Sequence, residues 1–344
     1  MNGDGFSDVV IGATRHNTGH SAEGSAFVWH GSPTGVNENV DGVPSNADFS
    51  AEANRADADL GFSVASAGGL NGDGFDDIIV GAPSYGFVTS DGRAFVWLGS
   101  SSGATTTDGM ATGTPSNAFW SAESIGQTVG TSVASARDVN GDGYSDLIVG
   151  AAFYSNGEAI EGAVFVWLGN PAGIPTGAGM NATGTPSNAI WSAESNQWGA
   201  KLGTSVAGAG DVNDDGFGDI IVGSPAYENG EPSEGSVFVW HGTSTGITTT
   251  VGTTTGIPTN AFWTAESDQT NGFMGQSVGS IGDVNGDGIS DVVVGAPGYQ
   301  DGQIEEGAVF IWHGGSGGVN AGTPGLPTNS NWSTESDSVG ALFG

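Results

Sequence analysis

The chain has 344 residues, enough for two ordinary domains, with 63 glycines, ten tryptophans and no cysteine. Its 38 acids against five Lys and Arg give a net charge of −33, which excludes an electrostatic route to nucleic acid or anionic lipid. The missing cysteines exclude a disulfide framework and thiolate zinc sites, and no apolar run has the length of a membrane span.

From the N-terminus, the first element is an acidic loop, Asn2-Gly3-Asp4-Gly5-Phe6-Ser7-Asp8, followed by apolar Val9-Val10-Ile11. The loop returns four more times at intervals of 69 to 73 residues. That period predicts repeats at about 1–59, 60–128, 129–201, 202–273 and 274–341, with 342–344 opening another. Units that cannot each bury a core are expected to stack into one domain over 1–344. Both ends cut the period at nearly the same phase, so the chain is expected to be a piece of a longer protein.

Each repeat divides into four strand candidates. The first is a small-residue stretch at 61–67, 130–136, 203–209 and 275–281, suited to a strand crowded by its neighbours. The second follows the acidic loop as Ile78-Ile79-Val80, Leu147-Ile148-Val149, Ile220-Ile221-Val222 and Val292-Val293-Val294. A continuous β-branched run predicts a strand covered on both faces; Pro83, Pro225 and Pro297 end three of them. The third carries a Trp at 29, 97, 167, 240 and 312, and the fourth centres on Trp120, Trp191, Trp263 and Trp332, with Phe49 in the first repeat. Aromatics at fixed phase read as filler between neighbouring sheets. Between third and fourth strands the Gly/Thr/Ser/Pro loops at 100–117 and 170–188 read as solvated excursions. The periodic aromatic and Val/Ile clusters argue against disorder, and no helical spacing is sustained. The expected fold is all-β: a β-propeller of four-stranded antiparallel blades.

The acidic loops carry the chemistry. Complete copies place Asp138, Asn140, Asp142 and Asp146; Asp211, Asn213, Asp215 and Asp219; and Asp283, Asn285, Asp287 and Asp291. Ca²⁺ takes six to eight oxygens from carboxylates, amides and main-chain carbonyls, and alternate loop residues offer such a set. The carbonyls of Tyr144, Phe217 and Ile289 are candidates for a further ligand. Gly69 stands at the first position of the second loop, leaving Asn71, Asp73, the Phe75 carbonyl and Asp77, a weakened site. The first loop keeps Asn2, Asp4, the Phe6 carbonyl and Asp8, a truncated one. Asp214 adds a carboxylate beside the fourth loop. An EF-hand would need Glu at position twelve, where Val149, Val222 and Val294 stand. Plain Asx turns are the competing reading. Three carboxylates within about 4 Å repel by roughly 1–4 kcal/mol per pair, and nothing in a turn requires that three times over. The predicted cofactor is Ca²⁺, with three complete sites.

Leu60-Gly61-Phe62-Ser63-Val64 and Val80-Gly81-Ala82-Pro83 bracket the second loop, with the literal Phe-Gly at Phe343-Gly344. In this the chain resembles the FG-GAP repeats of the integrin α-subunit propeller, over nearly its whole length. The resemblance implies Ca²⁺ loops on one propeller face, partner-binding loops on the other, and usually seven blades, of which this chain would supply about four and a half. It departs from integrins in lacking cysteine, in its longer repeats and in carrying calcium loops in nearly every one. It looks more like the FG-GAP proteins of bacterial and archaeal surfaces, and partnership with an integrin β-subunit does not carry over.

Other chemistry is thin. Gly275-Gln276-Ser277-Val278-Gly279 spells a nucleophile elbow, but Ser63, Ser132 and Ser205 share its phase, so it reads as strand. His30, His241 and His313 fall at the end of third strands, and His16 with His20 could bind metal. Asn181-Ala-Thr183 and Asn331-Trp-Ser333 fit the glycosylation pattern. The expected function is a non-catalytic, extracellular or cell-surface adhesion or ligand-binding module for a protein or glycan. Candidate contacts are the loops at 154–162, 227–235 and 299–307, which share a Tyr and the acids Glu161, Glu234 and Glu306. The alternatives are an accessory propeller of a secreted hydrolase or lyase, or a lectin-like propeller.

Overall fold

The computed structural model describes residues 1–86, 91–124, 126–174 and 183–344. Among these the regular structure is strand, with short 3-10 turns and no α-helix. Packing divides the chain into two compact units. One comprises Met1–Ser135, Gly143–Leu147 and Trp167–Ala189; the other comprises Ala136–Asp142, Ile148–Val166 and Ile190–Gly344.

In the first unit, one sheet pairs Val9–Ala13, Ser25–Trp29 and Phe49–Glu52 antiparallel. The next runs Ser63–Gly68, Asp77–Ala82, Arg93–Trp97 and Trp120–Glu123. In the second unit the same meander is made by Ser205–Gly210, Asp219–Ser224, Ser236–Trp240 and Trp263–Glu266. It recurs in Ser277–Gly282, Asp291–Ala296, Ala308–Trp312 and Trp332–Glu335. The third repeat supplies Ser132–Arg137, Asp146–Ala151, Ala163–Trp167 and Trp191–Glu194 in the same order. Repeated four-stranded antiparallel sheets of this kind are propeller blades.

The second strand is buried at every residue in three repeats, as its unbroken apolar run requires. In the second unit Ile221, Val237 and Val239 of one sheet share a core with Val292, Val294 and Phe310 of the next. The aromatic positions fill these seams, as expected. The fourth-strand ring of each repeat meets the third-strand Trp of the following one: Phe49 with Trp97 at 6.0 Å, Trp120 with Trp167 at 5.3 Å, Trp191 with Trp240 at 5.2 Å and Trp263 with Trp312 at 5.4 Å. Among the described residues Trp332 has no such neighbour, and it is 51% exposed.

Backbone glycines close the seams further. A Cβ on Gly81 would lie 2.1 Å from the Gly130 carbonyl oxygen, and one on Gly223 2.0 Å from that of Gly275. The Gly of Gly-Ala-Pro, or of Gly-Ser-Pro at Gly223, is therefore fixed by its approach to the glycine that opens the next repeat. The opening glycines have φ of +91° and +87°, which a β-carbon resists. Ser63 and Ser205 donate their hydroxyls to those same carbonyls at 3.1 and 2.8 Å. Because the obstacle is backbone rather than a flexible side chain, Gly223→Ala is expected to destabilise by about 1–3 kcal/mol, as overpacking does. A urea midpoint equal to wild type would contradict the interlock.

The loops between third and fourth strands differ from expectation. Their closing segments, from 112 and from 183, are straps and not solvated excursions; residues 175–182 lie outside the described residues. Thr112–Gly113 pairs in parallel with Ser50 and Ala51 of the preceding sheet, Thr183–Gly184 with Ser121 and Ala122, and Thr255–Gly256 with Ser192 and Ala193. The glycine lies against the preceding repeat's aromatic: a Cβ on Gly256 would sit 2.5 Å from Trp191. Downstream, the Asn of Pro-Ser/Thr-Asn anchors its own repeat. Asn188 Oδ1 accepts from Trp167 Nε1 at 3.0 Å and from Thr185 N–H at 2.7 Å; Asn260 does the same for Trp240 and Ile257 at 3.2 and 2.8 Å.

Candidate metal centre

From the second repeat on, each acidic loop joins the first strand of a sheet to the second and turns on glycine. Position six (Gly74, Gly216, Gly288) has φ of about +90°, and a Cβ there would meet nothing within 4 Å, so conformation and not space selects glycine.

In the fourth loop Asn213 Oδ1 accepts the Asp215 N–H at 3.1 Å, and Asn213 Nδ2 donates to Asp215 Oδ2 at 2.8 Å. Asp215 Oδ1 takes the Phe217 N–H at 3.0 Å. Asp211 accepts from the backbones of Asp215 and Gly216 at 3.1 and 2.8 Å. The fifth loop repeats this with Asp283, Asn285, Asp287 and Ile289. Asn71, Asp73 and Phe75 of the second, and Asn2, Asp4 and Phe6 of the first, keep the part their residues allow. In the third, Asp142 N–H bonds both Asp138 Oδ1 and Asn140 Oδ1 at 3.1 Å. The sequence-predicted residues are thus drawn together as nested Asx turns, each acid resting on loop amides.

The ninth-position acid is different in kind. Asp77, Asp219 and Asp291 are fully buried at the head of the second strand. One oxygen of Asp219 accepts the Val212 N–H at 2.8 Å and the other the Gly242 N–H at 2.9 Å, so it ties the loop to the end of the third strand. Asp77 does this with Leu70 and Gly99, and Asp291 with Val284 and Gly314. In the remaining repeats Asp146 accepts from Gly169 at 2.8 Å, and Asp8 from Gly31 at 2.9 Å. Burial pushes the Asp77 carboxyl up to about 7 and that of Asp219 up to about 8, against the pull of their amide bonds and with neighbouring loop acids adding to the rise. Among the described residues none of Asp77, Asp219 and Asp291 has a Lys or Arg partner. An all-oxygen donor set backed by an uncompensated buried carboxylate fits a hard cation.

The position-seven residues Phe75, Tyr144 and Phe217, read from sequence only as carbonyl donors, also use their rings. Each ring lies over the position-four glycine of the preceding loop: Cβ atoms on Gly3, Gly72 and Gly141 would fall 2.6, 2.4 and 2.8 Å from them. Where position seven is the smaller Ile289, position four of the preceding loop is Asp214, exposed and left-handed at φ 62°. A hexagonal ring at position seven of the first four loops, Phe6, Phe75, Tyr144 and Phe217, is the available signal. His241 packs beside the fourth loop, bonded to Asn213 at 3.0 Å and stacked on Phe262; burial lowers it to about 4, so it is neutral at pH 7.

At the opposite end of the sheets, the loops proposed to meet a partner use their shared residues for folding. Tyr154, Tyr227 and Tyr299 stand edge-on to Phe165, Phe238 and Phe310 at 5.2 to 5.5 Å. Glu161, Glu234 and Glu306 are buried and accept backbone N–H groups within their own loops. His16 takes the tyrosine's place against Phe27, while His20 lies 3.3 Å from Glu23, so the two histidines serve different groups. Ser277 sits in a strand and donates to the Gly344 carbonyl at 2.9 Å. Of the two glycosylation patterns, Asn181 lies outside the described residues.

Four-stranded antiparallel sheets, each with an Asp/Asn loop between its first two strands, define a β-repeat protein of the propeller-blade class. Residues 60–97, 129–167, 202–240 and 274–312, each running from the opening glycine's neighbour to the third-strand Trp, match the FG-GAP repeat, and the chain is an FG-GAP repeat protein. It is 29% identical over 313 residues to integrin alpha pat-2 of Caenorhabditis elegans, covering 85% of this chain and 22% of that one. Integrin alpha-5 of Xenopus laevis is 35% identical over 176 residues, 48% of this chain and 14% of its own length. Integrin alpha-4 of the same organism is 29% identical over 276 residues, 79% and 23% respectively. The chain spans less than a quarter of the length of these relatives. No helix among the described residues is long and apolar enough to cross a membrane.

Proposed function

We propose that the chain is a calcium-stabilised, non-catalytic module of an extracellular or cell-surface protein, and that it binds a protein or glycan ligand in adhesion. The observation that carries this is the acidic loop itself, present five times and in all four matched FG-GAP repeats, with oxygen-bearing side chains at positions three, five and nine of every copy. Asp211, Asn213, Asp215 and Asp219, with the Phe217 carbonyl, would hold one Ca²⁺; the corresponding residues of the third and fifth repeats would hold two more. Bound Ca²⁺ supplies positive charge where buried carboxylates otherwise face only dipoles, and millimolar Ca²⁺ is an extracellular condition. The similarity to integrin alpha chains supports the adhesive role. Ligand contact falls to the outward residues of the loops at the other end of the sheets, since their Tyr and Glu are used internally.

The test is calorimetric titration of the chelator-treated chain with CaCl₂, alongside two variants. Asp287→Ala is expected to remove one equivalent. Gly69→Asp is expected to add or tighten one: the position has ordinary space, a Cβ there lying 3.6 Å from the Phe75 carbonyl oxygen. Heats indistinguishable among the three proteins would refute the assignment.

A further inference from the structure

At the end of each sheet away from the acidic loops, a glutamate closes the fourth strand beside the second-to-third loop: Glu123, Glu194, Glu266 and Glu335. Antiparallel register sets Glu194 opposite Ala163, Glu266 opposite Ser236 and Glu335 opposite Ala308. A serine next in sequence bonds back to the loop acid's carbonyl, as Ser267 does to Glu234 at 2.7 Å and Ser336 to Glu306 at 2.8 Å. Two acids are thereby held together in the third, fourth and fifth repeats.

Most repeats compensate the strand-end glutamate, although the loop acid Glu161, like Glu306, keeps a buried Oε2 with no hydrogen-bond partner. In the second, Arg93 lies 2.5 Å from Glu123. In the third, Asn156 Nδ2 donates to both oxygens of Glu194 at 2.9 and 3.1 Å, and in the fourth Asn229 Nδ2 donates to Glu266 at 2.5 Å. In the fifth the residue at the asparagine's position is Asp301, which removes the donor and adds an acid. Here donor oxygens of Glu306, Glu335 and Asp337 all lie within 4.8 Å of one another. Glu306 is fully buried; its Oε1 takes the backbone N–H groups of Asp301 and Gln303, while Oε2 is buried with no hydrogen-bond partner. A buried carboxylate oxygen without a donor is costly and calls for a cation. Asp301 and Glu335 also line an open cleft of about 350 Å³.

We infer that Glu306, Glu335 and Asp337, with Asp301 at the rim, form a divalent-cation site for Ca²⁺, separate from the acidic loops and at the opposite end of the sheet. The donors are all hard oxygens, with no His or Cys among them, which selects Ca²⁺ over zinc.

The experiment is calcium titration of the chelator-treated full chain by calorimetry, for wild type, Asp337→Asn, Glu335→Gln and Asp301→Asn. Asp337 is exposed, so its variant does not depend on tolerance of the core; Asp301→Asn installs the residue that the third and fourth repeats carry. The expected result is one fewer equivalent of Ca²⁺ in Asp337→Asn and Glu335→Gln, and at least tenfold weaker binding at one site in Asp301→Asn, with wild-type tryptophan emission retained. The loss should add to that of Asp287→Ala, which separates this site from the loop sites. Wild-type stoichiometry and affinities in all three variants would overturn the proposal, whatever the loops bind.

Discussion

Chelation with EDTA at pH 8 is expected to lower the melting temperature by about 15 °C or more. A ligand at 100 times its Kd stabilises by about 2.7 kcal/mol per site, so three complete loops together approach the whole stability of an ordinary domain. For units of this size each kcal/mol moves the midpoint by about 2–4 °C. The pH dependence gives the result a second signature. Asp77 and Asp219 titrate in the folded chain at about 7 and about 8, well above their ordinary 3.8. A raised carboxyl stabilises the fold when protonated, fully below about pH 4, and that contribution is lost as pH climbs through the folded values. The chelated protein should therefore weaken steadily from pH 5 to pH 8. Calcium needs the carboxylate, so the increment it adds should grow over the same interval. Glu23, held down to about 2 by hydrogen bonds that outweigh its burial, acts only in the acid limb and does not blur this window. Superimposable melting curves with and without EDTA at pH 8 would remove the case for structural calcium.

The repeat, the four strands and the acidic loops were legible in sequence because they obey short-range rules: a two-residue alternation, a β-branched run, glycine where φ is positive. What sequence reading missed lies between repeats. Gly113, Gly184 and Gly256 look like loop glycines, yet each passes over an aromatic of the preceding sheet. Asn188 and Asn260 look like turn formers, yet each ties a Trp some twenty residues back. The Tyr and Glu of the 299–307 loop looked like ligand contacts because they recur in a polar segment; recurrence came instead from packing on Phe310 and from capping loop amides. In sequence the ninth-position acid reads as a ligand alone; its tie from the loop to the third strand needs a residue 23 positions away, as Asp219 to Gly242. Spacing within one element is readable; a partner in the adjacent sheet is not.

Those seams set the second large expectation. Trp240→Ala should cost about 3–5 kcal/mol, the range for deleting a buried aromatic. Its ring is fully buried, 5.2 Å from Trp191 of the preceding repeat and 5.8 Å from Phe238 of its own sheet, and its Nε1 donates to Asn260. Truncation opens the seam and leaves one bond of the strap unmade. Trp332 provides the internal contrast: the same residue type on a fourth strand, 51% exposed and without an aromatic partner. Trp332→Ala should stay within about 1 kcal/mol, as surface changes do. Trp240→Phe should fall between them, keeping ring packing while losing the Nε1 bond, worth about 1 kcal/mol. Urea unfolding followed by far-ultraviolet dichroism, which does not depend on the tryptophan removed, measures all three. If Trp240→Ala cost no more than Trp332→Ala, the periodic aromatics would not be what joins one sheet to the next, and the repeat would have to be held by its backbone interlock alone.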